Sequence, residues 1–365
     1  MLRTGDPTLM QPPNLLNPQK ILVIRRDNIG DLVCTTPALA ALRLHFPNAQ
    51  IGALVNSYNA EVLRGNPNVD HVFVYQKLKH AEGLANRIKA LAQRLKLIVR
   101  LRSWQPEVTI LAKSSYDRHG LNFARQIGAK NIIGFVPADL NQAKVLPDIQ
   151  LKTPEFTAVH EVEAVNQLLA PLGINDALGP LQVFADANAV AKINKNLPAA
   201  AKRIALHISA REPERRWGIN NFIALTEHLL QTHPDTQILL FWSPGRADDP
   251  HHPGDDAAAA ELIGAVPGGR LVPMPTQNLT ELVATLSLCD LFVGTDGGAL
   301  HLAVGLDKPC VALFENNPAK LNHWYPWRVQ QRVVHGVRGE VASIERDQVT
   351  AAVVSLLPDD ACIKR

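Results

Sequence analysis

The residues of this chain best placed to do chemistry lie just after apolar runs of strand type. In Arg25-Arg26-Asp27-Asn28-Ile29-Gly30-Asp31, Gly30 permits a tight turn and Asp31 falls at the start of the next helix. A carboxylate there can cap the helix, as Asp often does, or reach into a cleft as a general base. In the run from His207 to Trp217, Ser209, Arg211, Arg215 and Arg216 gather hydrogen-bond donors on one loop. The fixed fork of arginine suits phosphate, although Glu212 and Glu214 could equally pair with these arginines in a solvated loop. Residues 291–314, LFVGTDGGALHLAVGLDKPCVALF, read as a strand, a turn through Thr295, Asp296, Gly297 and Gly298, a helix carrying His301, and a second strand. Glycines at such a turn let backbone N–H groups approach a ligand. The helix start adds unpaired donors and partial positive charge. The chemistry this predicts is binding of an anionic, phosphorylated ligand in the C-terminal half. His301 reads either as part of that site or as a helix-surface histidine.

Other candidate constellations carry less. Neither G-x-G-x-x-G nor G-x-x-x-x-G-K-[ST] occurs, so dehydrogenase and P-loop readings lack their motifs. The loop Asp248-Asp249-Pro250-His251-His252-Pro253-Gly254-Asp255-Asp256 holds metal-ligand types but not the regular spacing of a calcium loop. It reads as a polar surface loop, and no metal is expected. Residues 77–102 contain eight Lys or Arg and one carboxylate, Glu82. Leu84, Ile88, Leu91 and Leu95 follow helical spacing, with Arg87, Lys89, Arg94 and Lys96 mostly off that stripe. Such a helix can rest on anionic lipid, or can present a solvated face over an ordinary core.

The elements that must position these residues alternate along the chain. Apolar runs at 20–24, 51–55, 72–75, 108–111 and 132–135 alternate with helical patterns, the mark of βα units on a parallel sheet. The pattern loosens into Gly, Pro, Asn and Asp near 171–187, a linker. It then restarts with runs at 203–208, 237–241, 271–272, 291–293, 311–314 and 333–334. Two doubly wound domains with a ligand cleft between them follow. The boundaries expected are a disordered leader at 1–18, a first domain at 19–178, a second at 179–345, and a C-terminal helix and tail at 346–365. The amphipathic helix near 346–357 could pack on either domain.

Composition narrows the class. With 365 residues there is length for two cores, and 46% apolar with 19% charged residues is ordinary for a soluble protein. A net charge of +3 does not suggest a nucleic-acid partner. The four cysteines lie far apart without a C-x-x-C pair, so buried free thiols in a reducing compartment are expected. The N-terminal leader has four prolines and no apolar core of signal-peptide length. No stretch approaches the ~18 apolar residues of a membrane span. A cytoplasmic protein is expected, free or peripheral on the inner membrane.

Taken together, these segments resemble glycosyltransferase family 9, the lipopolysaccharide heptosyltransferases and their relatives, over most of the chain. The likeness rests on ILVIRRDNIGDLVCTTPALAALRLHFPNAQI near the N-terminus, on His160-Glu161-Val162 with Leu168–Ile174, on RRWGINNFIAL, and on TDGGALHLAVGLDKPCVALF. The resemblance implies an α/β GT-B fold, two Rossmann-like doubly wound domains facing a central cleft. The acceptor would bind the N-terminal domain and a nucleotide-sugar donor, expected to be ADP-linked, the C-terminal one. It implies an inverting, metal-independent transferase of a sugar, heptose from ADP-heptose being the reading, to a lipopolysaccharide core or related glycan. By position, Asp31 would be the catalytic base, with Asp27, Asn28 and Gly30 on the acceptor-side loop. Ser209, Arg211, Arg215, Thr295, Asp296, Gly297, Gly298 and His301 would bind the donor. The expected partners are the nucleotide sugar, a lipid-linked or glycan acceptor, and an anionic inner-membrane surface met by residues 77–102. This chain departs from the family pattern in Asp27-Asn28 for a small hydroxyl pair, Arg215 for lysine, Gly218 for proline, and Glu315-Asn316-Asn317 for Gly-Pro-Thr. Those departures keep a second reading open, a non-catalytic nucleotide-sugar-binding protein on the same fold.

Overall fold

Strands that are apolar on both faces can be buried on both faces only inside a covered parallel sheet, and the chain builds two such sheets. The computed structural model describes residues 15–76, 84–249, 253–337 and 339–357. The first sheet comprises β1 (Lys20–Ile24), β2 (Gln50–Asn56), β3 (His71–Tyr75), β4 (Val108–Leu111), β5 (Ile132–Val136) and β6 (Ile149–Lys152). The second comprises β7 (Lys202–His207), β8 (Thr236–Phe241), β9 (Leu271–Pro273), β10 (Leu291–Thr295), β11 (Cys310–Phe314) and β12 (Gln331–His335). The orders are β3-β2-β1-β4-β5-β6 and β12-β11-β10-β7-β8-β9, and the strand pairs run parallel. Counted from its own first strand, each sheet has the same order, with a switch point between β1 and β4 or between β7 and β10. The fold is therefore GT-B, two Rossmann-like α/β units.

The helices are α1 (Ile29–Val33), α2 (Thr36–His45), α3 (Leu84–Trp104), α4 (Arg118–Gln126), α5 (Glu161–Gln167), α6 (Ala187–Asn196), α7 (Ile219–Thr232), α8 (Asp256–Ala265), α9 (Leu279–Ser287), α10 (Gly298–Gly305), α11 (Pro318–Trp324) and α12 (Arg346–Leu356). No helix among the described residues is long and apolar enough to cross a membrane. The final helix, α12, buries Val349, Ala352 and Val353 in the core of the second sheet. Cys34, Cys289 and Cys310 are buried free thiols, and Cys362 lies outside the described residues.

Three expectations are corrected. Strand β6 lacks an apolar run because it alternates half-buried and exposed residues at a sheet edge, which hides it from a search for buried strands. The presumed linker is packed rather than loose. Its Leu178, Leu181 and Val183 are buried, Val183 N donates to Gly305 O at 2.8 Å, and Gln182 N donates to Thr36 Oγ1 at 2.9 Å. Finally, Gly30 lies inside the first turn of α1 without a left-handed φ. A Cβ there would stand 2.6 Å from His301 Cδ2, so the glycine serves close approach between α1 and α10. The leader call falls mostly on residues outside those described.

Candidate functional site

The carboxyl ends of β1, β7 and β10 carry the three loops singled out by sequence, and all three line one cleft of about 1220 Å³ between the sheets. Asn28, Gly30 and Asp31 enter it from the first unit. Ser209, Arg211, Arg215, Thr295, Asp296, Gly297, Gly298 and His301 enter it from the second. Helices α1 and α10 touch at its base: a Cβ on Gly298 would lie 3.2 Å from Ile29 Cβ. The apolar core is continuous beneath this contact, with Leu32 and Val33 in one cluster with Leu300 and Val304. The two halves of the site are thus held against each other by packed helices rather than by loops.

Asp31 is the third residue of α1 and satisfies both readings of it. Its Oδ2 accepts from the Asn28 N–H at 3.0 Å, which caps the helix, and its Oδ1 accepts from Arg25 Nη2 at 2.6 Å. Capping and the Arg25 bond fix the carboxylate's direction, and its side chain keeps 15% exposure on the cleft. Arg25 is itself buried, at 2% exposure, and also meets Glu161 Oε1 at 2.7 Å and the Ala112 carbonyl. Glu161 is buried and accepts from His323 Nε2 at 2.7 Å, so a chain of polar contacts runs from Asp31 through Arg25 to α11 of the second unit. Burial would raise the Glu161 carboxyl, but Arg25 and His323 hold it down to about 2. A buried arginine is costly unless paired, and Arg25 is paired with Asp31 and Glu161, although its Nε makes no hydrogen bond.

Asp27 does not line the cleft. Its side chain lies 3.6 Å from Arg25 Nε, and burial raises its carboxyl above the ordinary range. Its backbone is fixed instead: Asn56 Nδ2 donates to the Arg26 and Asp27 carbonyls at 2.8 and 2.7 Å, and Asn59 Nδ2 reaches the Asp27 and Asn28 carbonyls at 3.3 Å. Each asparagine also bonds the other's backbone. This pair sets the path of the Arg26–Asn28 loop.

On the opposite wall, Arg215 is ringed by carboxylates. Its Nε lies 3.0 Å from Glu315 Oε1 and 3.3 Å from Glu212 Oε2, and its Nη1 lies 3.3 Å from Asp296 Oδ2. Lys320 Nζ meets Glu315 Oε2 at 2.5 Å. Glu315 therefore does point inward, but at cations; burial works against its charged form while Lys320 and Arg215 together hold its carboxyl below the usual range. Arg216 turns away, paired with Asp255 at 2.8 Å and bonded to the Ala210 carbonyl. Arg211 is exposed and makes no ion pair among the described residues.

Other expected donors are partly engaged within the protein. Ser209 Oγ accepts from Ser243 N at 2.8 Å, and Thr295 Oγ1 donates to the Ser209 carbonyl at 3.3 Å. Gly297 has extended backbone and open space where a Cβ would stand, so the turn is accessible from the cleft. His301 is buried, not a surface histidine. Its Nε2 lies 3.7 Å from Asp296 and its Nδ1 3.7 Å from Cys34 Sγ. Burial opposes the charged imidazole, but these neighbours favour it, and the balance lies above the usual histidine range. Gly218, expected from the family pattern to be proline, has φ +88°, a left-handed conformation that proline cannot adopt. The entry into α7 therefore follows its own path, anchored by the Trp217 indole N–H to the Ile344 carbonyl at 2.9 Å.

Sequence reasoning missed Arg25, Glu161, His323, Asn56, Asn59 and His207 as site residues. His207, at the end of β7 and lining the cleft, is pushed by burial down to about 4. The available signals were a charged residue ending an apolar strand (Arg25), and asparagines directly after one (Asn56, Asn59). Glu161 stood in a segment the resemblance rests on, but neither it nor His323 showed a role, since their pairing spans separate units.

Comparison with known proteins agrees with the fold. The profile of glycosyltransferase family 9 (heptosyltransferase) matches residues 121–353. Lipopolysaccharide heptosyltransferase 3 of Escherichia coli (strain K12) is 23% identical over 365 aligned positions, covering 91% of this chain and 96% of that protein. The solved structure of a family 9 glycosyl transferase from Veillonella parvula DSM 2008 superposes with a TM-score of 0.77 at 18% identity, covering 93% and 97% of the two chains. The Escherichia coli heptosyltransferase WaaC, solved with ADP, gives 0.70 at 17% identity, covering 92% and 99%.

Proposed function

Because the chain belongs to glycosyltransferase family 9, we propose that it is an inverting, metal-independent transferase that moves a sugar from a nucleotide-sugar donor to a lipopolysaccharide core or related glycan. Heptose from an ADP-linked donor is the reading for the sugar, in keeping with the name of the Escherichia coli relative and with the ADP in the WaaC structure. One observation carries the proposal: Asp31 and the Thr295–Gly298 turn face one cleft from two separately folded sheets.

In this reading Asp31 takes the proton of the acceptor hydroxyl as its oxygen attacks the anomeric carbon from the face opposite the leaving group. The bond from that carbon to the diphosphate breaks, and the nucleoside diphosphate leaves with the electron pair. Charge developing on the diphosphate is met by the N–H groups at the start of α10, by Arg211, and by Arg215 once a carboxylate is displaced from it, and these serve without a metal. The bond from Arg25 fixes the direction of the Asp31 carboxylate. An acceptor carried on lipid at the cytoplasmic face of the inner membrane completes the reading.

The second reading, a non-catalytic nucleotide-sugar-binding protein, draws support from the three carboxylates around Arg215. Purified protein would be incubated with candidate nucleotide sugars and acceptor, with and without chelator. Transfer that survives chelation and is lost in Asp31→Ala is expected. Metal-dependent transfer would remove the proposed mechanism, and tight donor binding without transfer or donor hydrolysis would favour the second reading.

A further inference from the structure

We propose that helix α3 and the groove beside it seat the protein on an anionic phospholipid surface; the inference deepens the lipid-linked acceptor reading and rests on it. A surface helix needs one apolar stripe to face its core. Helix α3 meets that need with Ala90, Leu97 and Leu101, which are buried. It nonetheless carries a second stripe. Ile88, Leu91, Leu95 and Val99 recur every three or four residues on one face, at 60%, 51%, 55% and 65% exposure. The stripe expected from sequence at Ile88, Leu91 and Leu95 is therefore the outward one, while the side chain of Leu84 lies outside the described residues. Exposed Lys89, Lys96 and Arg100 run alongside it, and the helix holds no carboxylate in its 21 residues. A contiguous exposed apolar strip flanked by cations that make no ion pair among the described residues is the pattern of a helix lying in a lipid interface.

The groove adds a second observation. Between α3 and the edge strand β3 lies a cavity of about 740 Å³. Lys20, His71, Lys96 and Arg100 rim it, and Phe73 and Trp104 line it. The Arg100 guanidinium stands 4.8 Å from the centre of the Phe73 ring. An aromatic floor under a cationic rim matches an amphiphile with a phosphate head. Other occupants fit less well. The exposed stripe is aliphatic and offers no stacking platform for bases. A second copy packed on it would set Lys89, Lys96 and Arg100 against the same cations.

The placement serves transfer. Lys89, Ala90 and Gln93, in the N-terminal turns of α3, line the cleft. A helix of 21 residues is roughly 30 Å long, so α3 lying along a bilayer would hold the cleft mouth at the lipid surface.

Full-length protein would be floated with phosphatidylcholine vesicles, with or without phosphatidylglycerol, at low and high salt. Binding confined to the anionic vesicles and weakened by salt is expected. The double variant Lys96→Glu/Arg100→Glu should lower that binding at least about tenfold, and Leu91→Gln/Leu95→Gln should lower it with unchanged Tm. Both variants should transfer sugar to a water-soluble acceptor at the parent rate. Absence of vesicle binding, equal binding to neutral vesicles, or self-association abolished by Leu91→Gln/Leu95→Gln would overturn the proposal. If no acceptor is glycosylated, the transfer reading fails, while flotation still decides the docking surface.

Discussion

Asp31 and Arg215 stand on opposite walls of the cleft, and both belong to clusters of one arginine and three carboxylates, but the clusters differ in burial. Asp31 shares a buried arginine with the buried Glu161 and, at 3.6 Å, with Asp27. Arg215 is a partly exposed arginine among three carboxylates, of which Glu315 also meets Lys320 and Asp296 also meets His301. In the first cluster Arg25 and Glu161 are buried and Asp31 caps α1, so the carboxylate is aimed without a ligand. The second is hostile to an anion as it stands. A diphosphate must displace Glu212, Glu315 or Asp296 from Arg215, or be met first by Arg211. Under the proposed function, a wall fixed in advance would face one whose carboxylates must rearrange when an anionic donor binds, and selectivity would be exerted there.

The largest effect should follow from Asp31→Asn, which keeps the shape and removes the base. A loss of kcat of about 10²- to 10⁴-fold is expected, with donor KM little changed. A comparable loss in KM alone would make Asp31 a binding residue and dissolve the contrast between the walls. Next comes Glu161→Ala, which takes one carboxylate from the buried Arg25 and leaves the buried His323 Nε2 without its partner, and should cost about 1–3 kcal/mol in urea unfolding. Its pH dependence has a definite sign. The Glu161 carboxyl is depressed to about 2 from its ordinary 4.5, so its contribution is fully present above pH 4.5 and is lost as pH falls through about 2. The stability gap between the parent and Glu161→Gln should therefore close only in that acid window. A gap that closes nearer neutrality would point to another group.

Further substitutions test the contact between the walls and the charge on the donor side. Gly30→Ala drives a methyl into the buried His301 ring and should cost about 1–3 kcal/mol, read as a lowered Tm. An unchanged Tm would mean that α1 and α10 separate easily. Glu315→Gln removes one of the carboxylates competing for Arg215. Donor KM should fall by about two- to fivefold, the scale of a partly exposed ion pair. A rise in KM would instead show that Glu315 positions Arg215 for the donor.

Much of the fold was legible because buried parallel strands announce themselves as runs of Val, Ile and Leu. Runs of that kind located eleven of the twelve strands. Strand β6 escaped, since an edge strand need be apolar on one face only. The loops at the strand ends were legible for a related reason. Glycine, Asp and Arg directly after an apolar strand interrupt a pattern that packing alone would continue. His301 could not be judged from its neighbours in sequence, because its burial comes from α1, Cys34 and Trp324.

The sequence by itself determined which elements form, that they make two doubly wound units, and which loops stand at the strand ends, because these depend on short-range periodicity and on turn chemistry. Tertiary structure alone decided what those loops are worth. It paired Arg25 with Glu161 across 136 positions, seated His301 on Gly30, and closed three carboxylates around Arg215. It also turned one apolar stripe of α3 outward. Charge balance and burial depend on neighbours brought together from distant parts of the chain, and no local pattern encodes them.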